Sequence, residues 1–170
     1  MKNKNRSIIA IIILLIIGVG VFAYLNRPDG DAKIGILSIT KDGKVLKELS
    51  MEEIKALPKT EHKIKFGSSN FSGEDALYSG VALREIIDSV DPELLKNAKN
   101  IVARAEDGFQ SAFSVEEVTS SDNVILAYSR EGKDLGTKED GGVGPLRVVI
   151  KTDPFGNRST KYLKELEIRQ

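Results

Sequence analysis

Between Ser7 and Asn26 the chain carries no charged residue, and residues 8–25, IIAIIILLIIGVGVFAYL, are almost continuously apolar. A helix that is apolar all round needs lipid or protein on every side, so this run cannot lie on the surface of a water-soluble fold. At about 1.5 Å per residue it makes a helix roughly 27 Å long, close to the hydrocarbon thickness of a bilayer. A secretory signal core is shorter and leads into small residues at its cleavage site. Here the run ends in Phe22-Ala23-Tyr24-Leu25, bulky apart from one alanine. The reading is an uncleaved single-pass transmembrane anchor over 8–25 behind a leader over 1–7. Lys2, Lys4 and Arg6 precede the span, whereas Arg27 alone follows it before Asp29 and Asp31. The positive-inside rule puts the leader in the cytoplasm and everything after the span outside the cell membrane, in an extracytoplasmic position.

Residues 26–32 form a short polar connector rich in turn formers, and 33–170 is long enough for one hydrophobic core. The chain has 25 basic and 25 acidic residues, three of the basic ones in the leader, so the remainder carries 22 against 25. That mild acidity offers no footprint for nucleic acid. There is no cysteine, which excludes disulfides, zinc–thiolate sites, iron–sulfur clusters and thiol nucleophiles together. The single histidine, His62, excludes a histidine-rich metal site built from one chain.

Within 33–170 short strands alternate with short helices. Residues 33–39 read as a strand and 41–44, KDGK, as the turn into a second. Residues 50–57 form a short helix, with Ser50 and Glu53 in a capping box and Pro58 as the stop. Residues 61–66, EHKIKF, alternate as a half-buried strand does, with His62 half-exposed on it. Residues 80–90 place Val81, Leu83, Ile86, Ile87 and Val90 on one helical face. Strands follow over 100–105 and 109–113, joined by the turn Glu106-Asp107-Gly108. Ser114 and Glu117 cap a further short helix, and strands over 123–129, 146–151 and 162–168 complete the set. The fold class is α+β, a compact domain of mixed sheets. No strand–GxGxxG–helix unit, P-loop, calcium-loop spacing or locally supported Ser-His-Asp arrangement is present.

The order of five segments carries a resemblance. YSGVALREII (78–87), ARAEDGFQSAFSVEEV (103–118), VILAYSREGKDL (124–135), GGVGPLRVVI (141–150) and STKYLKELEI (159–168) together resemble the molybdopterin-binding domain of the sulfite-oxidase family. The likeness runs from about Ser50 to the end. It implies a mixed α+β domain of several packed sheets and a cleft for a molybdenum pterin. In the family the arginine of a G-x-P-x-R segment, here Arg147, lies near the pterin. A glycine-containing loop, here 155–161, wraps the cofactor's phosphate side. The resemblance thus implies cofactor-binding roles for Arg147, Arg158, Ser159, Thr160 and Lys161, around one cleft with 67–70. The residue types suit that task, since the cations and hydroxyls are donors for an anion. The plainer alternative is that Arg147 and Lys161 brace strand ends through carboxylates such as Asp107 or Glu167.

Departures from the family pattern bear on function. The catalytic members ligate molybdenum through a cysteine sulfur placed before the Y-x-G-V-x-L segment. Here that region offers Gly67, Ser68, Ser69 and Asn70, and a serine alkoxide is a harder ligand with a far higher pKa than a thiolate. Residues 137–142, TKEDGG, hold no histidine before the G-x-P-x-R segment, and the family's N-G turn is Glu131-Gly132. The leader lacks the twin-arginine pair that exports cofactor-loaded folded proteins. The sequence therefore predicts a membrane-anchored relative with neither bound cofactor nor molybdenum redox chemistry. Its inherited cleft would take a small anionic ligand or an extracytoplasmic protein partner. The alternative is a molybdopterin-dependent oxidoreductase with non-cysteine ligation.

Overall fold

The computed structural model describes residues 2–25, 34–65, 75–120, 122–153 and 156–170. Two compact units result, Met1–Ala32 and Lys33–Gln170.

The first unit holds helix α1, Lys2–Leu25. Side chains are described for its residues 11–24, and all of them stand exposed. Among the described residues no helix is long and apolar enough to cross a membrane. Residues 8–10 and 25 of the anchor read from the sequence fall outside the described side chains, as does the whole connector, 26–32.

In the second unit a five-stranded sheet, sheet A, is built from β1 (Leu37–Lys41), β2 (Lys44–Leu49), β5 (Asn100–Ala105), β6 (Gln110–Ser114) and β10 (Leu163–Arg169). Its order is β2-β1-β10-β5-β6. The β1–β10 pair is parallel and the others antiparallel. The turn between β1 and β2 takes positive φ at Asp42 and Gly43, the arrangement that matches strand twist in a tight hairpin. Sheet B contains β3 (Lys59–Lys65), β4 (Asp75–Ala82), β7 (Val124–Arg130), the two-residue β8 (Lys133–Asp134) and β9 (Arg147–Ile150). Strand β4 lies between β3 and β7, while β8 and β9 share the other edge of β7.

The helices are short. α2 (Met51–Lys55) and α4 (Val115–Thr119) each begin with the capping box legible in the sequence, Ser50 with Glu53 and Ser114 with Glu117. α3 (Leu83–Asp88) differs from the reading of a helix over 80–90. Residues 80–82 belong to β4 because sheet pairing there outweighs helical periodicity. A Cβ on Gly80 would lie 2.1 Å from the Leu126 carbonyl oxygen, so the strands approach more closely than any side chain allows. Strand β1 likewise begins at Leu37 rather than 33, after Gly35 takes a φ of 78°.

The main core fills the space between the sheets and contains Ile39, Ile101, Leu166, Val81, Leu126 and Val148, with Ile54, Ile86 and Val118 from the helices. Alternation along β7 and β9 sends Ile125, Ala127 and Val149 to the opposite face of sheet B, where they join Tyr78, Ile64 and Leu135 in a second cluster. Arg147 precedes Val148 on β9 and therefore shares this second face with Val149 and Tyr78. His62, read as half-exposed, is buried there on β3. Its Nε2 donates to the Asp122 carbonyl, which fixes the proton on Nε2 because a carbonyl only accepts.

Candidate functional site

A glycine-rich loop delivers Arg147 to its strand. Val143 and Gly144 donate backbone N–H groups to Leu135 and Gly136, at 3.0 and 2.9 Å. A Cβ on Gly142 would lie 2.3 Å from the Leu135 carbonyl oxygen, so only glycine closes the loop there. The chain then enters β9, and residues 160–163 run beside it: Val148 N–H donates to Thr160 O at 2.9 Å and Leu163 N–H to Leu146 O at 3.0 Å.

Arg147 is 8% exposed. Its Nε donates to Ser159 Oγ at 2.7 Å and its Nη1 to Tyr78 Oη at 3.0 Å. The guanidinium also lies 5.4 Å from the centroid of the Tyr78 ring, within cation–π range. Burial pushes its pKa below the ordinary value; Tyr78 and Tyr162 act upward and the neighbouring Arg130 downward. Of the two carboxylates in the plainer alternative, Glu167 bonds other arginines, while Asp107 lines the same groove as Lys161. Glu167 accepts from Arg104 at 2.6 Å and from Arg169 at 2.8 Å. Asp107 accepts the backbone N–H of Phe109 at 3.0 Å within its own turn.

The turn 156–159 and the irregular backbone up to β10 send neighbouring side chains in different directions, and this separates the residues that the resemblance groups together. Ser159 and Lys161 line one groove, with Asn157, Tyr162, Asp107 and Phe109, of about 270 Å³. Arg147 lies directly behind it through Ser159. Arg158 and Thr160 turn elsewhere. Arg158 pairs with Glu117 at 2.8 Å and lies 3.9 Å from Asp153, with its guanidinium over the Phe113 ring. Thr160 is 0% exposed, its hydroxyl bonded to that of Ser111. Residues 67–70, the fourth expected element of the cleft, lie outside the described residues. Glu131 takes a positive φ, and its carboxylate accepts the Leu77 N–H at 2.6 Å, fastening the turn after β7 to β4.

The groove sits at one end of sheet A, where β1 and β10 begin, β5 ends and β6 starts. Tyr162, at a positive φ of 52°, accepts the Glu106 N–H through its carbonyl and donates its hydroxyl to Gly142 O at 2.7 Å. It thereby ties the turn 106–108 to the glycine loop. Sequence reasoning did not find Tyr78, Asn157, Phe109 and Tyr162 as site residues. The aromatic ones stand in the segments that carry the resemblance, but only the fold shows Tyr78 meeting an arginine 69 positions later.

Two five-stranded sheets around one core, with an arginine entering the second sheet from a glycine loop, define a mixed α+β domain of a molybdopterin-binding type. The family model described as the oxidoreductase molybdopterin binding domain matches residues 32–170, and the chain belongs to that family. Among solved structures it is similar to the sulfane dehydrogenase SoxCD from Paracoccus pantotrophus, with a TM-score of 0.62 and 20% identity. The alignment covers 83% of this chain and 39% of that one, so this chain corresponds to well under half of it. At that identity the likeness is one of fold. No curated protein matches the chain.

Whether the residues present fit a molybdenum pterin can be tested on their bonding. The Ser159 hydroxyl accepts from Arg147 and donates to Val148 O, Thr160 is sealed in the core, and Arg158 is bound to Glu117. Of the five residues implied, Lys161 is the one with an uncommitted donor facing the groove, and Asp107 brings a carboxylate to the same surface. With no cysteine to hold the metal, this donor set does not fit the group.

Proposed function

We propose that this chain is a membrane-anchored, extracytoplasmic member of the family that binds a small ligand through an anionic group and performs no molybdenum redox chemistry. The observation that carries the reading is the internal commitment of the donors that would face a cofactor phosphate. Arg158 lies outside the groove and pairs with Glu117, Ser159 and Thr160 are bonded to Val148 and Ser111, and Lys161 is the cation lining the groove. The groove's volume of about 270 Å³ falls just below that of ordinary ligand sites, roughly 300–1,000 Å³, and suits a compact molecule. The anchor rests on the charge-free residues 8–25 and on the exposed apolar side chains along α1. The second reading, a molybdopterin-dependent oxidoreductase with non-cysteine ligation, is favoured by the family description alone.

The test is a calorimetric titration of the full chain in detergent with 3-phenylpropanoate, a monocarboxylate whose ring suits the exposed Phe109. Binding that weakens about tenfold in Lys161→Gln is expected, the loss of one charge-assisted hydrogen bond. Heat that is unchanged by this substitution refutes the groove as the site.

A further inference from the structure

The groove's electrostatics are two-signed, and this narrows the ligand. Lys161 is exposed and enters no ion pair among the described residues. Asp107 is equally exposed, and of its two oxygens Oδ1 is used by the Phe109 N–H. Both line the same groove. A plain anion drawn to Lys161 meets the Asp107 carboxylate as a like charge, at a cost that grows where water is partly displaced. A ligand bearing both signs turns that cost into a second attraction. The third component is apolar: Phe109 lines the groove and is 45% exposed, so its ring offers an apolar surface beside the two charges. The Asp107 turn is locked by Gly108 at a φ of 86°, by Gly108 N–H donating to Ala105 O, and by Glu106 N–H donating to Tyr162 O. The carboxylate is therefore held at its place beside the ring.

Resting on the anion-binding reading above, we propose that the ligand is a small zwitterion of the free amino-acid class with an apolar side chain. Its carboxylate meets Lys161 and Asn157, its ammonium meets Asp107, and its side chain covers Phe109. Arg147 touches none of it and acts as a positioning residue, holding Ser159 against the Val148 carbonyl behind the groove.

Three probes of one skeleton decide the matter on the full chain in detergent: phenylalanine, 3-phenylpropanoate without the ammonium, and phenethylamine without the carboxylate. Phenylalanine should bind about tenfold more tightly than either, as one more charge-assisted contact implies. Asp107→Asn keeps an oxygen for the Phe109 N–H but removes the charge, and should reduce the phenylalanine affinity to that of 3-phenylpropanoate. If 3-phenylpropanoate binds through Lys161 as well as phenylalanine does, the zwitterion proposal is overturned while the anion reading stands. If no probe binds, both fall. Should Asp107→Asn fail to fold, the comparison of the three probes on the wild type still decides.

Discussion

Replacing Tyr78 by phenylalanine removes one oxygen and keeps the ring, so it isolates one bond of the buried arginine. In the wild type Arg147 Nη1 donates to that oxygen at 3.0 Å, while the ring supplies the cation–π contact at 5.4 Å. A hydrogen bond to a charged group contributes about 1.5–3 kcal/mol, and Tyr78 is 1% exposed, so water does not readily replace its oxygen. The expected loss is about 2 kcal/mol, or roughly 6–10 °C in Tm for a domain of this size. Arg147→Met removes the cation, fills its place with an apolar chain beside Val149 and Ala127, and takes the Nη1 donor away from the Tyr78 oxygen. The double variant removes both buried polar partners and should therefore lose less than the sum of the singles, by about 1.5–3 kcal/mol. Urea unfolding of residues 33–170 in the four forms measures that coupling. Additivity within about 0.5 kcal/mol would refute the direct Arg147–Tyr78 interaction.

Glu117 serves two structures, accepting the Ser114 N–H through one oxygen and Arg158 through the other, whereas Glu53 accepts the Ser50 N–H and has an exposed lysine, Lys47, 3.6 Å away. Glu117→Ala should thus destabilise more than Glu53→Ala in urea, by about 1 kcal/mol, while Ser50→Ala and Ser114→Ala each cost about 1 kcal/mol. Gly142→Ala drives a Cβ into the Leu135 carbonyl at 2.3 Å and should lower Tm far more than Gly43→Ala, where a Cβ meets nothing within 4 Å and only the positive φ opposes it. Burial alone would raise the Glu167 pKa, but hydrogen bonds from Arg104 and Arg169 outweigh it and hold the value below that of an ordinary carboxylate. Its folded value therefore lies under its unfolded one. The stabilisation is complete above the unfolded value and is lost as pH falls through the folded one. The stability gap between wild type and Glu167→Gln should narrow from about pH 6 to about pH 3; a gap constant across that range would contradict the pairing.

Local chemistry was legible wherever a short stretch determines its own structure. The capping boxes at Ser50 and Ser114, the Asp42-Gly43 turn and strand β5 each follow from neighbours a few positions apart. Strand β4 was not legible, because its pairing depends on Leu126 approaching Gly80 from a distant strand, while 80–90 carries a helical period of its own. The site divides in the same way. Segment order pointed to Arg147 and Lys161, and both adjoin the groove. It grouped Arg158 and Thr160 with them because neighbours in sequence look like neighbours in a site. The turn around 156–159 sends those two side chains to Glu117 and Ser111 instead. Whether a donor is free or already satisfied depends on partners 41 and 49 positions away, which no motif encodes.

The function proposed above requires that a domain whose Arg158, Ser159 and Thr160 are bonded to other protein groups holds no molybdenum pterin. Elemental analysis and pterin fluorescence of the full chain, purified in detergent from a host that makes molybdopterin, test it most directly. Molybdenum and pterin far below one per chain are expected. One molybdenum with one pterin per chain would contradict it.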